Sequence, residues 1–164
     1  MAMWRQLADD DVESLLRVAD IIDTELPESH DVVAERLKLF PDGCLALTEN
    51  GELCGYAISH PIRRRQPPAL DSLLGGIALD ADQYYIHDVC VLPELRGKGL
   101  AAQAISKLLG IAERYSSACL VSVYGTARFW ARYGFLPPPS IDEVLLVKVR
   151  GYGDDATYLE RLKV

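Results

Sequence analysis

An α/β domain with a mixed sheet is what three features of this 164-residue chain predict. First, runs rich in β-branched and aromatic residues alternate with segments of helical periodicity, in the order β-α-α-β-β-β-α-β-α-β. Second, an Asn50-Gly51 pair between two apolar runs calls for a hairpin, and so for antiparallel neighbours. Third, a strand, a glycine-rich turn, a helix and another strand follow one another over residues 84–123. Such a unit makes a right-handed parallel crossover.

The first strand is placed at residues 3–7, with Trp4 and Leu7 as its apolar markers. Asp9, Asp10 and Asp11 suit the first turn of a helix. Val12, Leu15, Leu16, Ala19 and Ile22 then recur at helical spacing. Residues 24–29, TELPES, break the pattern at Pro27. A second helix, DVVAERLKLF, sets Val33, Leu37 and Phe40 on one face, and Pro41-Asp42-Gly43 turns the chain. Residues 44–48 and 53–62 are the hairpin strands. The long connection 63–82 is of a length that is usually functional or mobile in a compact domain. Its Arg63-Arg64-Arg65 triplet reads as a solvated loop, since a basic cluster alone is weak evidence for phosphate binding or nuclear import.

Residues 84–92 are almost continuously apolar, as in a strand covered on both faces. Pro93, lacking an N–H for the ladder, ends it. The helix after Gly99 runs on as AAQAISKLLGIAER. A strand at 118–123, a short helix at 126–133 stopped by Gly134, the turn-rich LPPPS and a last strand at 143–149 complete the order. The polar segment 151–164 is either a tail or the closure of a sheet edge. The chain carries no internal repeat, and its length fits one domain, 1–164, with a substantial core.

Apolar residues make up 49% and charged residues 25%, as in an ordinary globular protein. No apolar run approaches bilayer-spanning length, so no membrane partner is expected. The acidic start, MAMWRQLADDD, lacks a signal peptide's apolar core, so the expected location is cytoplasmic. A net charge of -7 argues against nucleic acid as a partner and favours cationic ones. Cys44, Cys54, Cys90 and Cys119 each lie in an apolar run without C-x-x-C spacing. They read as buried, reduced thiols, not as metal ligands.

The stretch around which the chain is organised is the glycine turn. Arg96, Gly97, Lys98, Gly99, Leu100, Ala101 and Ala102 lead from the strand into a helix N-terminus, whose bare N–H groups and positive dipole end suit phosphate. The run also satisfies G-x-G-x-x-G/A. A dinucleotide site, however, expects the glycines directly after the strand and an acid at the end of the next one. Here residues 93–96 intervene and the next strand ends in Tyr124-Gly125. A P-loop is excluded, because no Gly-Lys-Ser/Thr occurs in that context.

Val91-Leu92-Pro93-Glu94-Leu95-Arg96-Gly97-Lys98-Gly99-Leu100-Ala101 resembles motif A of the GNAT N-acetyltransferase superfamily, Arg/Gln-x-x-Gly-x-Gly/Ala after V-x-P. Phe129-Trp130-Ala131-Arg132-Tyr133-Gly134-Phe135 resembles its motif B. Order, separation and preceding elements match over nearly the whole chain. The resemblance implies a mostly antiparallel central sheet with one parallel, splayed strand pair and helices on both faces. It implies acetyl-CoA as donor, with its pyrophosphate on the backbone N–H groups from Arg96 to Ala102. Its pantetheine arm would pair with Val89, Cys90 and Val91, and the strand at 118–123 would splay away to admit it. Arg96 and Lys98 are also charge candidates for phosphate.

Acetyl transfer requires that the amine lose a proton, that the oxyanion be stabilised and that the thiolate leave. N–H groups near Val91 can serve the oxyanion. His87 is the candidate base; on an alternating strand it shares a face with Tyr85, Val89 and Val91, while Asp88 points the other way. His87 also matches one histidine of the arylalkylamine N-acetyltransferase branch, whose second histidine corresponds to Tyr85. The family's usual acid, a tyrosine of motif B, is replaced by Trp130, whose indole is no practical proton donor. Tyr124, at the mouth of the splay, is the substitute candidate; Tyr133 reads as packing, and a thiolate can also leave unaided.

The acceptor side of the family lies at the segments corresponding to 23–29 and 63–82. There Glu25, Glu28 and Asp71 are candidates to hold a cationic amine, and Leu26, Pro27, Pro67, Pro68 and Leu70 offer an apolar wall. The expected activity is transfer of acetyl from acetyl-CoA to a small primary amine, with no metal. Acetylation of a protein N-terminus or lysine, and a catalytically silent acyl-CoA-binding module, are the alternatives; a homodimer is compatible with any of them.

Overall fold

A computed structural model of the protein describes residues 1–22 and 25–163. Its centre is a six-stranded sheet in sequential order: β1 (Met3–Gln6), β2 (Cys44–Glu49), β3 (Glu52–Ile62), β4 (Gln83–Val91), β5 (Ser117–Ser122) and β6 (Thr157–Leu162). All neighbours are antiparallel except β4 and β5. The hairpin expected at Asn50-Gly51 joins β2 to β3, with φ of 54° and 80° at the two turn residues. The parallel crossover is present as well. Its helix, α3 (Leu100–Ala112), buries Leu100, Ala104, Ile105, Leu108 and Ala112, a stripe of helical spacing.

Two helical layers flank the sheet. On one face, Ile105, Leu108 and Ala112 of α3 pack on Ala57, Tyr84, Ile86, Ala118 and Leu120, together with Trp130 of α4 (Ala127–Ala131) and Phe135. On the other, α1 (Val12–Ile22) and α2 (His30–Leu39) press Leu15, Val18, Val33 and Leu37 onto Cys44, Ala46, Tyr56 and Ile58. Leu145 and Val149 cover Tyr85, Cys119, Val121 and Tyr158 on that same face.

Leu145 and Val149 belong to a helix, α5 (Glu143–Arg150), where the sequence predicts the last strand. Its β-branched composition is overruled by end chemistry. The Asp142 carboxylate accepts the Leu145 N–H at 2.8 Å as an N-cap, Glu143 sits in the first turn, and Lys148 and Arg150 sit in the last. The last strand is instead β6, which runs antiparallel to β5 and closes the sheet edge. The arginine triplet is tied down rather than loose. Arg63 pairs with Asp80 at 2.9 Å, and Arg65 grips buried Glu160 of β6 through two nitrogens at 2.8 and 2.9 Å.

All four cysteines are buried. Among the described residues no helix is long and apolar enough to cross a membrane.

Candidate active site

After β4 the chain makes a short turn over Pro93–Leu95, anchored by buried Leu95. It enters α3 through Gly97 and Gly99, at φ 81° and 76°, the left-handed region that favours glycine. A Cβ on either glycine would meet nothing within 4 Å. Backbone conformation, not crowding within the fold, therefore demands glycine here, and the outer side of the turn is open. The first bond of α3 runs from Gln103 N–H to Gly99 O at 3.2 Å. The N–H groups of Leu100, Ala101 and Ala102 are thus the orphan donors of a helix start. The Trp4 indole N–H donates to Leu100 O at 2.8 Å and fixes that start to the sheet. Arg96 and Lys98 are exposed beside it.

Strands β4 and β5 pair only from Gln83 to Tyr85 against Ser117 to Cys119 and then part. Beyond that point β4 keeps one partner: Val89, Cys90 and Val91 pair with Ala57, Tyr56 and Gly55 of β3. Their opposite edge faces the space that β5 has left. The splay lies immediately upstream of the glycine turn, as the resemblance implies.

The parity expected for His87 fails at a β-bulge. Ile58 pairs with Asp88, while the next β3 residue, Ser59, pairs with Ile86. His87 is the extra residue, and a bulge resets the alternation. Before it, Tyr84 and Ile86 face α3 and Tyr85 faces α5. After it, Val89 packs on the α3 side and Cys90 on the α1–α2 side. Asp88 therefore lies on the same face as His87, not the opposite one, and Val89 lies across the sheet from His87. Two adjacent polar residues in the otherwise apolar run 84–92 are the trace of this in the sequence.

His87 and Asp88 line a small cavity at the splay with Leu26, Glu28, Leu70, Val121, Val123 and Tyr152. Its free space, about 30 Å³ to the centre of a water-sized sphere, exceeds the roughly 10–15 Å³ that one water needs. Leu26, Glu28 and Asp88 also line a second cavity against Leu15, Leu16, Ala19 and Val33. His87 Nε2 is hydrogen-bonded to Glu28 Oε1. The Asp88 carboxylate accepts from Tyr56 Oη at 2.9 Å and from Cys90 Sγ at 3.0 Å.

Burial opposes charge throughout this cluster, and the balance differs from group to group. Against burial, the neighbouring Glu28 carboxylate pulls the His87 imidazole above its ordinary range. Reciprocally, His87 overcomes the effect of burial on Glu28 and holds that carboxyl below its ordinary range. Burial wins at Asp88, whose pKa is raised. It wins also at His60, which is pushed down to about 3 and is neutral. Among the described residues, three buried polar atoms here meet no partner: His87 Nδ1, His60 Nε2 and Arg36 Nε.

The other candidates fall as follows. Glu25 is exposed on the segment before α2. Asp71 accepts the Ser29 N–H at 2.7 Å, which ties the 63–82 connection to the start of α2. Glu35 ties it again, accepting from Leu74 N–H at 2.6 Å and Gly75 N–H at 3.0 Å. Of the three acids, Glu28 alone lines the cavity. Asp23 and Thr24, at the start of the expected acceptor segment, lie outside the described residues. Tyr124 directly follows cavity-lining Val123 and is 44% exposed, in the left-handed region at φ 54°. Trp130 is core, edge-on to Phe129 and Phe135, and Tyr133 packs against Phe129 and Trp130. Among the described residues no group of three or more His, Cys, Asp or Glu side chains is placed to hold a metal ion.

Residues 4–135 match the family model described as the acetyltransferase (GNAT) family. No curated protein sequence matches the chain. Among solved structures, Ard1 from Thermoplasma volcanium superimposes with a TM-score of 0.71 at 16% identity, over 99% of this chain and 98% of that one. The loading GNATL domain of CurA from Lyngbya majuscula gives 0.74 at 13% identity, over 99% and 98%. N-acetylglutamate synthase from Neisseria gonorrhoeae, complexed with coenzyme A and N-acetyl-glutamate, gives 0.69 at 18% identity, over 99% of this chain and 35% of that one.

Proposed function

Since this chain belongs to the acetyltransferase (GNAT) family, we propose that it is a single-domain enzyme that transfers acetyl from acetyl-CoA to the primary amine of a small molecule. The observation that carries the reading is a juxtaposition. An open glycine turn at a helix start, an unpaired strand edge and a buried histidine all meet where β4 and β5 part.

The residues present fit the donor. Gly97 and Gly99 let backbone approach a pyrophosphate, with the N–H groups of Leu100, Ala101 and Ala102 as donors to it. Arg96 and Lys98 add positive charge, and the edge of β4 at residues 89–91, which β5 has left, takes the extended arm. Bound acetyl-CoA supplies an activated thioester. For their part, the chain's residues place a base and an oxyanion donor around it. His87, lining the cavity, takes the amine's proton directly or through one water. The Val91 N–H steadies the developing oxyanion. Tyr124 is the acid, since the motif B position is occupied by core Trp130.

The acceptor side favours a small amine with an apolar body. Leu26, Leu70, Val121 and Val123 wall the cavity, its polar lining is acidic apart from His87 and Tyr152, and no lysine or arginine is among its lining residues. The connection over it is strapped to α2 by Asp71 and Glu35, which argues against an extended peptide. Glu25 remains a candidate for attracting the cation. N-acetylglutamate synthase, found with coenzyme A and N-acetyl-glutamate, supports a CoA donor on this fold but has an acidic acceptor, which this lining disfavours. A thiol-release assay with acetyl-CoA against a panel of aryl- and alkylamines, amino acids and peptides tests the proposal. Turnover confined to apolar amines is expected. CoA binding without turnover on any amine would instead mark an acyl-CoA-binding module.

A further inference from the structure

Glu28 is the residue whose role changes most between sequence and structure. As a loop acid it reads as an anchor for a substrate amine. In the fold its Oε1 is spent on His87 Nε2, and its side chain is only 16% exposed. The imidazole is more deeply buried still, at 3%. Its other nitrogen, Nδ1, is buried and meets no partner among the described residues. Because an ionised carboxylate can only accept, Nε2 carries the proton of the neutral ring, and the partnerless Nδ1 is then its lone pair.

We propose that Glu28 is a positioning residue: it accepts the Nε2–H of His87, locks that tautomer and leaves the Nδ1 lone pair as the acceptor of the substrate amine's proton. This rests on the reading of His87 as the base. In the step, the amine's N–H bond breaks as its nitrogen bonds to the thioester carbonyl carbon, and the C–S bond breaks with CoA leaving as the thiolate, which Tyr124 protonates. The proton moves to Nδ1, and the resulting imidazolium is held as an ion pair by the Glu28 carboxylate. The arrangement follows the logic by which a buried carboxylate orients a catalytic imidazole, here built from a helix-preceding loop and a strand bulge. Alternation from Tyr85 already puts His87 on this side; the bulge brings Asp88 to the same side beside it.

The charged and titratable groups facing the pair are Arg36 from α2, His60 from β3, Tyr85 and Asp88 from β4 and Tyr152 after α5. Arg36 opposes protonation of His87, and Asp88 favours it. His60 and the tyrosines are neutral across the working range, because burial pushes His60 down to about 3, Tyr152 up to about 12 and Tyr85 well above its ordinary value. The groups left to set the pH response are Glu28 and His87, with Asp88, whose carboxyl burial raises, beside them.

The test uses Glu28→Gln, Glu28→Ala and His87→Ala, with acetyl-CoA and phenethylamine as the probe pair, and ¹⁵N NMR of the His87 ring in the unliganded protein. Gln keeps an acceptor oxygen for Nε2–H and loses the charge; Ala loses both. In the native protein the ring is expected as the Nε2–H tautomer once deprotonated. Glu28→Gln should shift the ring's titration and the acid limb of kcat down by about one pH unit. Glu28→Ala should lower kcat roughly 100-fold with KM changed less than about threefold. An Nδ1–H tautomer, or an unmoved titration in Glu28→Gln, overturns the inference even if Glu28→Ala fails to fold. If His87→Ala leaves kcat unchanged, the underlying reading of the base fails too; if only the Glu28 variants are silent, that reading stands and this inference falls.

Discussion

Replacing Gly99 by alanine separates the fold's need for this glycine from the ligand's. The residue caps α3 at φ 76°, and a Cβ there would touch nothing within 4 Å. The folded protein therefore meets no clash and loses only the conformational preference of an L-residue held in the left-handed region, about 1–2 kcal/mol. For a chain of this size that corresponds to a fall in Tm of roughly 2–8 °C. The methyl group, however, stands on the open side where the proposed donor's pyrophosphate would approach backbone N–H groups. Gly51 supplies a matched control, because it has φ 80°, is equally open, and sits in the β2–β3 hairpin. Gly51→Ala should show a similar drop in Tm and unchanged CoA affinity. Gly99→Ala should weaken CoA at least tenfold by calorimetry, and Gly99→Glu, adding negative charge, should abolish binding. Equal CoA affinity in Gly99→Ala and native protein would refute the donor site. Equal weakening in Gly51→Ala would show that the loss comes from stability alone.

Three further outcomes follow from particular contacts. His87→Ala should cut kcat by roughly 10²–10⁴-fold, and an unchanged rate would remove it as the base. Asp142→Ala removes the side-chain acceptor of the Leu145 N–H; it should cost about 1 kcal/mol, seen as a small fall in Tm with CoA binding intact. The hydrogen bonds from Arg65 hold Glu160 at about 2 against an ordinary value of 4.5. A depressed carboxylate contributes stability that is present above its unfolded-state pKa and lost as pH falls through the folded one. The native Tm should accordingly drop between about pH 4.5 and pH 2, and more steeply than in Glu160→Gln; parallel curves would show that the pair does not govern acid unfolding.

Much of the fold was legible because it rests on local signals. Asn50-Gly51 specifies its hairpin, Gly97 and Gly99 punctuate β4 and α3, and the apolar stripes of α1 and α3 have helical spacing. The failure at α5 has an equally local cause. The sequence EVLLVKVR is β-branched enough to read as a strand, and the Asp142 cap that decides otherwise lies outside the apolar run. In the candidate site, the glycine turn was legible because backbone conformation dictates glycine at 97 and 99. The pairing of Glu28 with His87 was not, because the two residues are 59 positions apart. No local propensity encodes such a contact.

In the proposed reading, the bulge at His87 lets one strand serve two ligands with opposite demands. The donor arm needs a bare backbone edge with side chains kept out of its way, and Val89 packs toward α3 with the rest of that core. The acceptor needs polar groups in a buried pocket, where each must find a partner. Strict alternation from Tyr85 would have placed His87 on the acceptor face and Asp88 among the apolar side chains of the α3 layer, an uncompensated carboxylate in a dry core. With one extra residue, Asp88 instead meets Tyr56 and Cys90 on the acceptor side, and Val89 takes the α3 side that alternation would have given Asp88. The irregularity thus allows adjacent histidine and aspartate in a strand that is otherwise apolar. It follows that the pair His87-Asp88 and the bulge stand or fall together: with regular pairing at that point, one of the two polar side chains would have no acceptable place.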